Sequence, residues 1–303
     1  MGVPHVIPYQ GSKRLIAPHI LRWFPPTAHR LIEPFAGSAA VALAALHHEQ
    51  VEQVVLGDTD SALVALWERI IDAPEALADA YAALWEQQRG LEQSFYNQVR
   101  AAFNLDAQPE MFLFLLARCV KAAVRYNANG QFNQSPDNRR RGTHPDTMRE
   151  RIRTTSALLR GRVTLVHADY QTLLAQATPK DVVYLDPPYQ GVSRTRDPRY
   201  KAAVLFDEFM AVLHALNQRQ VSYIVSYDGR TGSKNYGQSL PASLKLQCIE
   251  IDAGRSSQAT LLGRDERTTE AIYLSPALLE RSEKPVTLTP QTLQYTLPFP
   301  EPS

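Results

Sequence analysis

Cysteine is nearly absent from this sequence: only Cys119 and Cys248 occur in 303 residues. Two thiols cannot build a disulfide framework or a zinc ribbon, and they fit a reducing, cytoplasmic setting. Net charge is missing as well. Thirty-two Lys and Arg stand against 31 Asp and Glu, for a formal charge of +1. That balance excludes an acidic disordered chain and a uniformly basic coat protein. No apolar stretch approaches the ~20 residues that span a bilayer. The best is Met111 to Ala117, and the opening MGVPHVIPYQGSKR lacks the apolar core of a secretory signal. The G-x-G-x-x-G fingerprint is absent too, which argues against a nicotinamide oxidoreductase. What is present, 44% hydrophobic and 21% charged residues, suffices for one large domain or two modest ones.

Short apolar runs bounded by turn residues predict strands at Arg30–Glu33, Val51–Asp58, Val163–His167, Val182–Asp186 and Val221–Asp228. Runs of this kind are mostly buried on both faces, as in a parallel sheet. The Ala-rich stretch Gly37–His47 favours helix and completes a βαβ unit. Leu244–Ile251 alternates apolar and polar, and with Thr268–Leu274 it predicts an antiparallel hairpin closing the sheet. From Ser61 to about Phe114 the pattern is helical, with Leu63, Leu66, Trp67, Ile70 and Ile71 at three- and four-residue spacing. A further helix is expected over Glu110–Tyr126. From Ser275 onward the chain is proline-rich and expected to be extended, unless its apolar end LQYTLPFP docks on the body.

Charge is segregated within this neutral chain. Between Arg118 and Arg162, eleven Lys or Arg stand against three acids, a local +8. Positive charge gathered in one insertion implies an anionic partner such as nucleic acid. For Arg149–Arg162 alone, a solvated helix face explains the pattern equally well.

Three short motifs carry chemistry. Asp186-Pro187-Pro188-Tyr189 directly follows an apolar strand, where ligands of open α/β sheets bind. The prolines remove two backbone donors, so an acceptor carboxylate, a free carbonyl and an aromatic face together suit an amino group on a flat ring. The bland reading is a rigid turn with Asp186 as a cap. Glu33-Pro34-Phe35-Ala36-Gly37-Ser38-Ala39-Ala40 joins strand to helix through small residues, which lets a ligand approach a helix N-terminus. Asp58 follows about twenty residues on, placed either to accept from ribose hydroxyls or to cap the next helix. Near the amino terminus, Tyr9, Gly11 and Lys13 combine an aromatic face, a close-approach glycine and a cation.

In this order the motifs resemble the Dam-like DNA adenine-N6 methyltransferases, over roughly Tyr9 to Leu274. Two further phrases carry the resemblance: Phe95 to Asn104 (FYNQVRAAFN) and Arg125 to Asn133 (RYNANGQFN). The resemblance implies an α/β fold. A Rossmann-like S-adenosylmethionine-dependent methyltransferase sheet would comprise residues 1–62 and 160–276. A mostly helical DNA-recognition domain would be inserted at 63–159, and a tail would follow at 277–303. It also implies that Tyr9, Gly11, Lys13 and Asp186 contact S-adenosylmethionine, that Phe35 and Gly37 line its methionine moiety and that Asp58 holds its ribose. Asp169 and Tyr170 would flank its adenine. Asp186, Pro187, Pro188 and Tyr189 would be the catalytic loop, acting on an adenine flipped out of double-stranded DNA without a metal. Arg139, Arg140 and Arg141 would grip phosphates, and Arg125, Asn127 and Asn129 could read base edges. For Asn127 and Asn129, turn chemistry around Asn-Gly is the alternative.

The chain departs from the family in two places. Gly37-Ser38-Ala39 replaces a G-x-G turn, and Lys121-Ala122-Ala123-Val124 stands where the best-known members carry an Asn-Gly pair. The target, GATC or another short adenine-containing site, stays open. Rival readings are transfer to cytosine N4, to RNA adenine or to protein glutamine, or an inactive DNA-binding relative. A cytoplasmic monomer or weak dimer, bacterial or phage-encoded and with or without a cognate restriction enzyme, is the expected setting.

Overall fold

The computed structural model describes residues 2–188, 204–227, 230–231, 234–235, 240–255 and 267–282. Five parallel strands form its centre: β1 (Arg30–Glu33), β2 (Gln53–Asp58), β3 (Val163–His167), β4 (Asp181–Leu185) and β5 (Ser222–Ser226). Their order is β3-β2-β1-β4-β5. Two short strands follow, β6 (Arg230–Thr231) and β7 (Lys234–Asn235), and then the expected hairpin of β8 (Gln247–Arg255) and β9 (Arg267–Leu274). β9 lies antiparallel to β5, and β8 lies antiparallel to β9. β8 therefore runs in the direction of the parallel five. This is the Rossmann-like α/β sheet expected from the sequence.

The apolar runs form strands because each has two faces to bury. Along β4, Val182 and Tyr184 enter one hydrophobic cluster, while Val183 and Leu185 enter a second on the opposite face. All five positions of β4 and of β5 are buried. β3 differs from the expectation of burial on both faces, since none of its residues is buried. It is the edge of the sheet and is paired only on the β2 side.

On the first face pack α1 (Ala17–Leu21), α2 (Ala40–His47), α3 (Ser61–Asp72), α4 (Pro74–Gln87), α5 (Glu92–Asp106), α6 (Pro109–Arg118) and α7 (Pro145–Leu159); all contribute to the first cluster. α8 (Tyr170–Ala175) and α9 (Phe206–Gln218) cover the second face. Ala40 to Leu46 of α2 are all buried, as a helix apolar on every side requires. In α3, Leu63, Leu66, Trp67 and Ile70 face the core while Ser61, Glu68 and Asp72 stay exposed. The helical segment thus shares one core with the sheet face.

Two expectations are corrected. The helix expected over Glu110–Tyr126 ends at Arg118: the Cys119 amide makes the last helical bond, to the Leu115 carbonyl, and beyond it the chain pairs with a returning segment. Cys119 bridges to Pro136, the Val120 amide donates to the Ser135 carbonyl at 3.0 Å, and Tyr126 bridges to Phe132. The chain after Ser275 is not extended from its start. Pro276–Arg281 forms α10, because the Ser275 hydroxyl accepts from the Leu278 amide, proline opens the helix and Leu278 is buried. The end LQYTLPFP lies outside the described residues.

Just past α6, Lys121 and Ala122 both hold positive φ, 59° and 50°, within a short 3₁₀ turn over Val120–Ala122. L-residues with a Cβ are strained there by ~1–2 kcal/mol each, and Asn-Gly is the pair best suited to consecutive positive φ. The double substitution Lys121→Asn with Ala122→Gly is therefore expected to stabilise the fold by about 1 kcal/mol. Urea unfolding would show this as a higher midpoint at unchanged slope.

Candidate active site

The chain leaves β1 towards β2 on one side, and β4 continues to β5 on the other. The sheet order therefore reverses between β1 and β4, where open α/β sheets bind ligands at the strands' carboxyl ends. Glu33 ends β1, Asp58 ends β2 and Asp186 follows β4. They line one cavity of about 430 Å³, together with Tyr9, Gly11, Lys13, Phe35, Gly37, Asp169, Tyr170, Pro187 and Pro188. Every described residue expected from the sequence to bind cofactor or act in catalysis is on this wall. Tyr189 lies outside the described residues.

The turn after β1 builds the floor. Gly37 adopts φ 47°, its amide donates to Asp58 Oδ2 at 3.2 Å and its carbonyl accepts from the Trp67 indole at 3.1 Å. A Cβ on Gly37 would stand 3.0 Å from the Tyr9 ring, so both conformation and space call for glycine. Ala39, at the place of the missing second glycine, also sits in the left-handed region at φ 49° and is fully buried. The departure from G-x-G thus leaves the turn geometry intact at a modest strain.

Asp58 accepts at Oδ1 from the Asp60 amide (2.9 Å) as well as from Gly37. Burial outweighs these donors and pushes its carboxyl up to about 6. The helix-capping role falls instead to Asp60, whose Oδ1 accepts from the Ala62 amide at 3.1 Å. Phe35 and Tyr170 stack with centroids 5.3 Å apart, forming an aromatic wall. Asp169 caps α8 by accepting from the Thr172 amide and hydroxyl, both at 2.9 Å, and those bonds hold it below the ordinary carboxylate range.

At the other end of the cavity, Lys13 Nζ meets Asp186 Oδ2 at 3.0 Å, with Lys13 only 8% and Asp186 21% exposed. Burial alone would lower the Lys13 ammonium, but Asp186 and Glu270 outweigh it and hold it charged. Burial raises Asp186 above its ordinary value against the opposing pull of Lys13. Lys13 is thus the partner of the Asp186 carboxylate as well as a wall of the cavity.

Of the basic insertion, Arg149 and Arg153 are paired with Glu75 and Asp79 of α4, the solvated-face reading of that helix. Arg139 and Arg140 both pair with Asp137 (3.0 and 3.1 Å), and Arg141 pairs with Glu92 at 3.0 Å; none of the three lines the cavity. Lys121 and Arg125, by contrast, make no ion pair with the described residues. Arg125 also lies between two cavity residues, Val124 and Tyr126. The Asn127 carboxamide anchors the Asn-Gly turn, accepting from the Asn129 and Gln131 amides at 3.0 Å each. Asn129 is exposed at the tip of that turn.

Sequence reasoning missed Glu33, Asp60 and Tyr126. Glu33 is 3% exposed and accepts from the Ala42 amide at 3.0 Å, capping α2 from the end of β1. Its position at a strand end facing a helix start was the available signal. The role of Tyr126 had none, since its partner Asp60 is 66 residues away.

A family model described as D12 class N6 adenine-specific DNA methyltransferase matches residues 9–257. The chain belongs to this family. Among relatives, a retron Ec67 DNA adenine methylase of Escherichia coli is 29% identical over 192 residues, covering 61% of this chain and 64% of that protein. Type II methyltransferase M.MjaIII of Methanocaldococcus jannaschii is 27% identical, covering 64% and 72%. The DNA N-6-adenine-methyltransferase of Escherichia phage P1 is 28% identical, covering 63% of this chain and 24% of the phage protein. The match thus spans less than two thirds of the retron protein and about a quarter of the phage one. Membership of the D12 class agrees with the sequence-based resemblance.

Proposed function

We propose that this chain is a site-specific DNA adenine-N6 methyltransferase that uses S-adenosylmethionine. One observation carries the reading. A single cavity has the Asp58 carboxylate and an aromatic wall at one end, and an ion-paired Asp186 followed by two donor-free prolines at the other.

The residues fit the cofactor. The cavity volume lies in the range of small-molecule sites. Asp58, already fixed by two backbone donors, can accept from ribose hydroxyls. Tyr170, packed on Phe35, offers its ring to a purine. When bound, the cofactor supplies an electrophilic methyl group on a sulfonium. The adenine amine is a poor nucleophile because its lone pair is delocalised into the ring. Asp186 and the Pro187 carbonyl accept its two N–H groups, drawing nitrogen towards tetrahedral geometry and stabilising its developing charge. Lys13 holds Asp186 Oδ2, which orients Oδ1 to the substrate. Positioning both reactants in line in one enclosed site supplies the remaining acceleration. Tyr189 is assigned the stacking face for the flipped base.

A base inside a duplex cannot reach this cavity, so flipping is required, at a cost of a few kcal/mol. Residues 63–159 are taken as the recognition segment. The uncompensated Lys121 and Arg125 contact DNA first, and phosphates compete with Asp137 and Glu92 for Arg139, Arg140 and Arg141. Arg125 and Asn129 are assigned to base edges, with Asn127 shaping the turn that presents them. Among the described residues there is no cluster that could hold a metal ion, and no helix is long and apolar enough to cross a membrane. The reading places the enzyme in the cytoplasm of a bacterium or in a phage-infected cell.

Single-molecule sequencing of DNA from a methylation-free host expressing the protein tests this, beside an Asp186→Ala control. Adenine-N6 marks at one short motif, absent in the control, are expected, and they name the target. No marks despite duplex binding by the purified protein would favour the inactive DNA-binding alternative.

A further inference from the structure

The segment 122–126 touches both rims of the cavity. On one side the Gln10 amide donates to the Ala122 carbonyl at 2.9 Å, tying in the loop that carries Tyr9 and Lys13. On the other, the buried Tyr126 hydroxyl donates to Asp60 Oδ2 at 2.6 Å. Asp60 in turn caps α3 and donates its own amide to Asp58 Oδ1, and Asp58 binds the Gly37 turn. A continuous chain of short bonds therefore runs from the recognition insertion to the carboxylate assigned to the cofactor ribose.

The outer end of this chain is tied together as one ribbon. Arg125 to Asn127 pair with Gln131 to Asn133: the Asn127 amide donates to the Gln131 carbonyl (2.8 Å), and the Asn133 amide to the Arg125 carbonyl (3.0 Å). The Tyr126 ring packs edge-on to Phe132, which packs edge-on to Phe103 and Phe112. Successive residues of an extended segment face opposite ways. Tyr126 points inward to Asp60, whereas the flanking Arg125 and Asn127 are less buried and the adjoining turn Ala128–Gln131 is exposed. A ligand that fixes the outer face of this ribbon fixes the Tyr126 hydroxyl with it.

We infer that Tyr126 is a positioning residue that couples the two substrates: duplex DNA held by the Arg125–Gln131 ribbon orders the Tyr126–Asp60–Asp58 chain and so tightens binding of the adenosyl ligand. The inference rests on the methyltransferase reading above and adds to it a route between the two sites. By linkage, the adenosyl ligand tightens DNA to the same extent.

The test titrates S-adenosylhomocysteine by calorimetry into wild-type protein and Tyr126→Phe, each alone and saturated with a duplex containing the methylated motif. Phenylalanine keeps the ring packing and removes only the hydroxyl. Wild type is expected to bind at least about fivefold tighter with duplex present, and the variant to change by less than about twofold. Equal tightening in both proteins would overturn the inference, as would no tightening in wild type that binds both ligands. Failure of wild type to bind S-adenosylhomocysteine at all would instead remove the methyltransferase reading, and this inference with it. Asp60→Gly, which a helix N-cap tolerates and which leaves no side chain for the Tyr126 hydroxyl to bond, provides a second variant. If Tyr126→Phe unfolds, loss of coupling in Asp60→Gly supports the route and retained coupling refutes it.

Discussion

Asp186→Asn is expected to slow single-turnover methyl transfer by about a thousandfold, the loss of about 4 kcal/mol of transition-state stabilisation. The amide is the size of the carboxylate but carries no charge opposite the nitrogen that becomes cationic. The substitution also leaves Lys13 buried without its 3.0 Å counterion. Removing one member of a buried pair costs about 3–5 kcal/mol of stability, so the melting temperature should fall as well. A double variant, Lys13→Met with Asp186→Asn, separates the two effects. It should recover much of the stability, since the buried ammonium is removed together with the carboxylate it faced, and none of the rate. Single-turnover kinetics below the melting temperature decide the matter. A variant that keeps a tenth or more of the wild-type rate would show that Asp186 is not the acceptor of the amine.

Glu33→Gln is expected to stabilise the ligand-free protein in alkaline solution and to leave it unchanged in acid. Burial lifts the Glu33 carboxyl from 4.5 to about 8, the Ala42 amide opposes this, and the nearby Asp186 adds to it. A carboxyl raised in the folded state binds its proton more tightly there than in the unfolded chain. Stability is therefore fully present below about 4.5, declines as pH rises, and has lost the whole contribution above about 8. At ~1.36 kcal/mol per pH unit the loss is on the order of 5 kcal/mol. Glutamine cannot ionise, and its carbonyl can still accept from Ala42. Asp58, raised from 3.8 to about 6, contributes with the same sign but at lower pH. The window between about 6 and 8 therefore reports Glu33 alone of these two. Urea unfolding at about pH 6.5, 7.5 and 8.5 should show wild type falling across that window and the variant nearly flat. Parallel curves would mean that Glu33 is already ionised in the folded protein.

Much of the sheet can be read from the residue order because its signals are local. Val182 to Leu185 form a recognisable buried strand from their apolar run alone, and Asp186-Pro187-Pro188 marks the strand end without reference to any other element. The Ala-rich α2 and the spacing of Leu63, Leu66, Trp67 and Ile70 are equally plain, since one helical period suffices to display them. The parts that cannot be read this way depend on distant partners. The helix after Pro109 stops at Arg118 because residues 132–137 return to take up its backbone groups, which no periodicity within 110–126 could announce. The +8 insertion has the composition of a uniformly free patch, yet acids from α4 and α5, far earlier in the chain, neutralise Arg149, Arg153 and Arg141.

Chemical character is written in the amino acids themselves: a carboxylate before two donor-free prolines at Asp186, a carboxylate closing a strand at Asp58, a small-residue turn at Gly37 and a cation at Lys13. Which of these groups meet is settled by packing alone. Lys13 belongs to Asp186 and Tyr126 to Asp60. A hydrogen bond or ion pair forms where the packed fold brings two groups within about 3 Å, and chain separations of 66 and 173 residues leave no trace of that distance in the order of the amino acids.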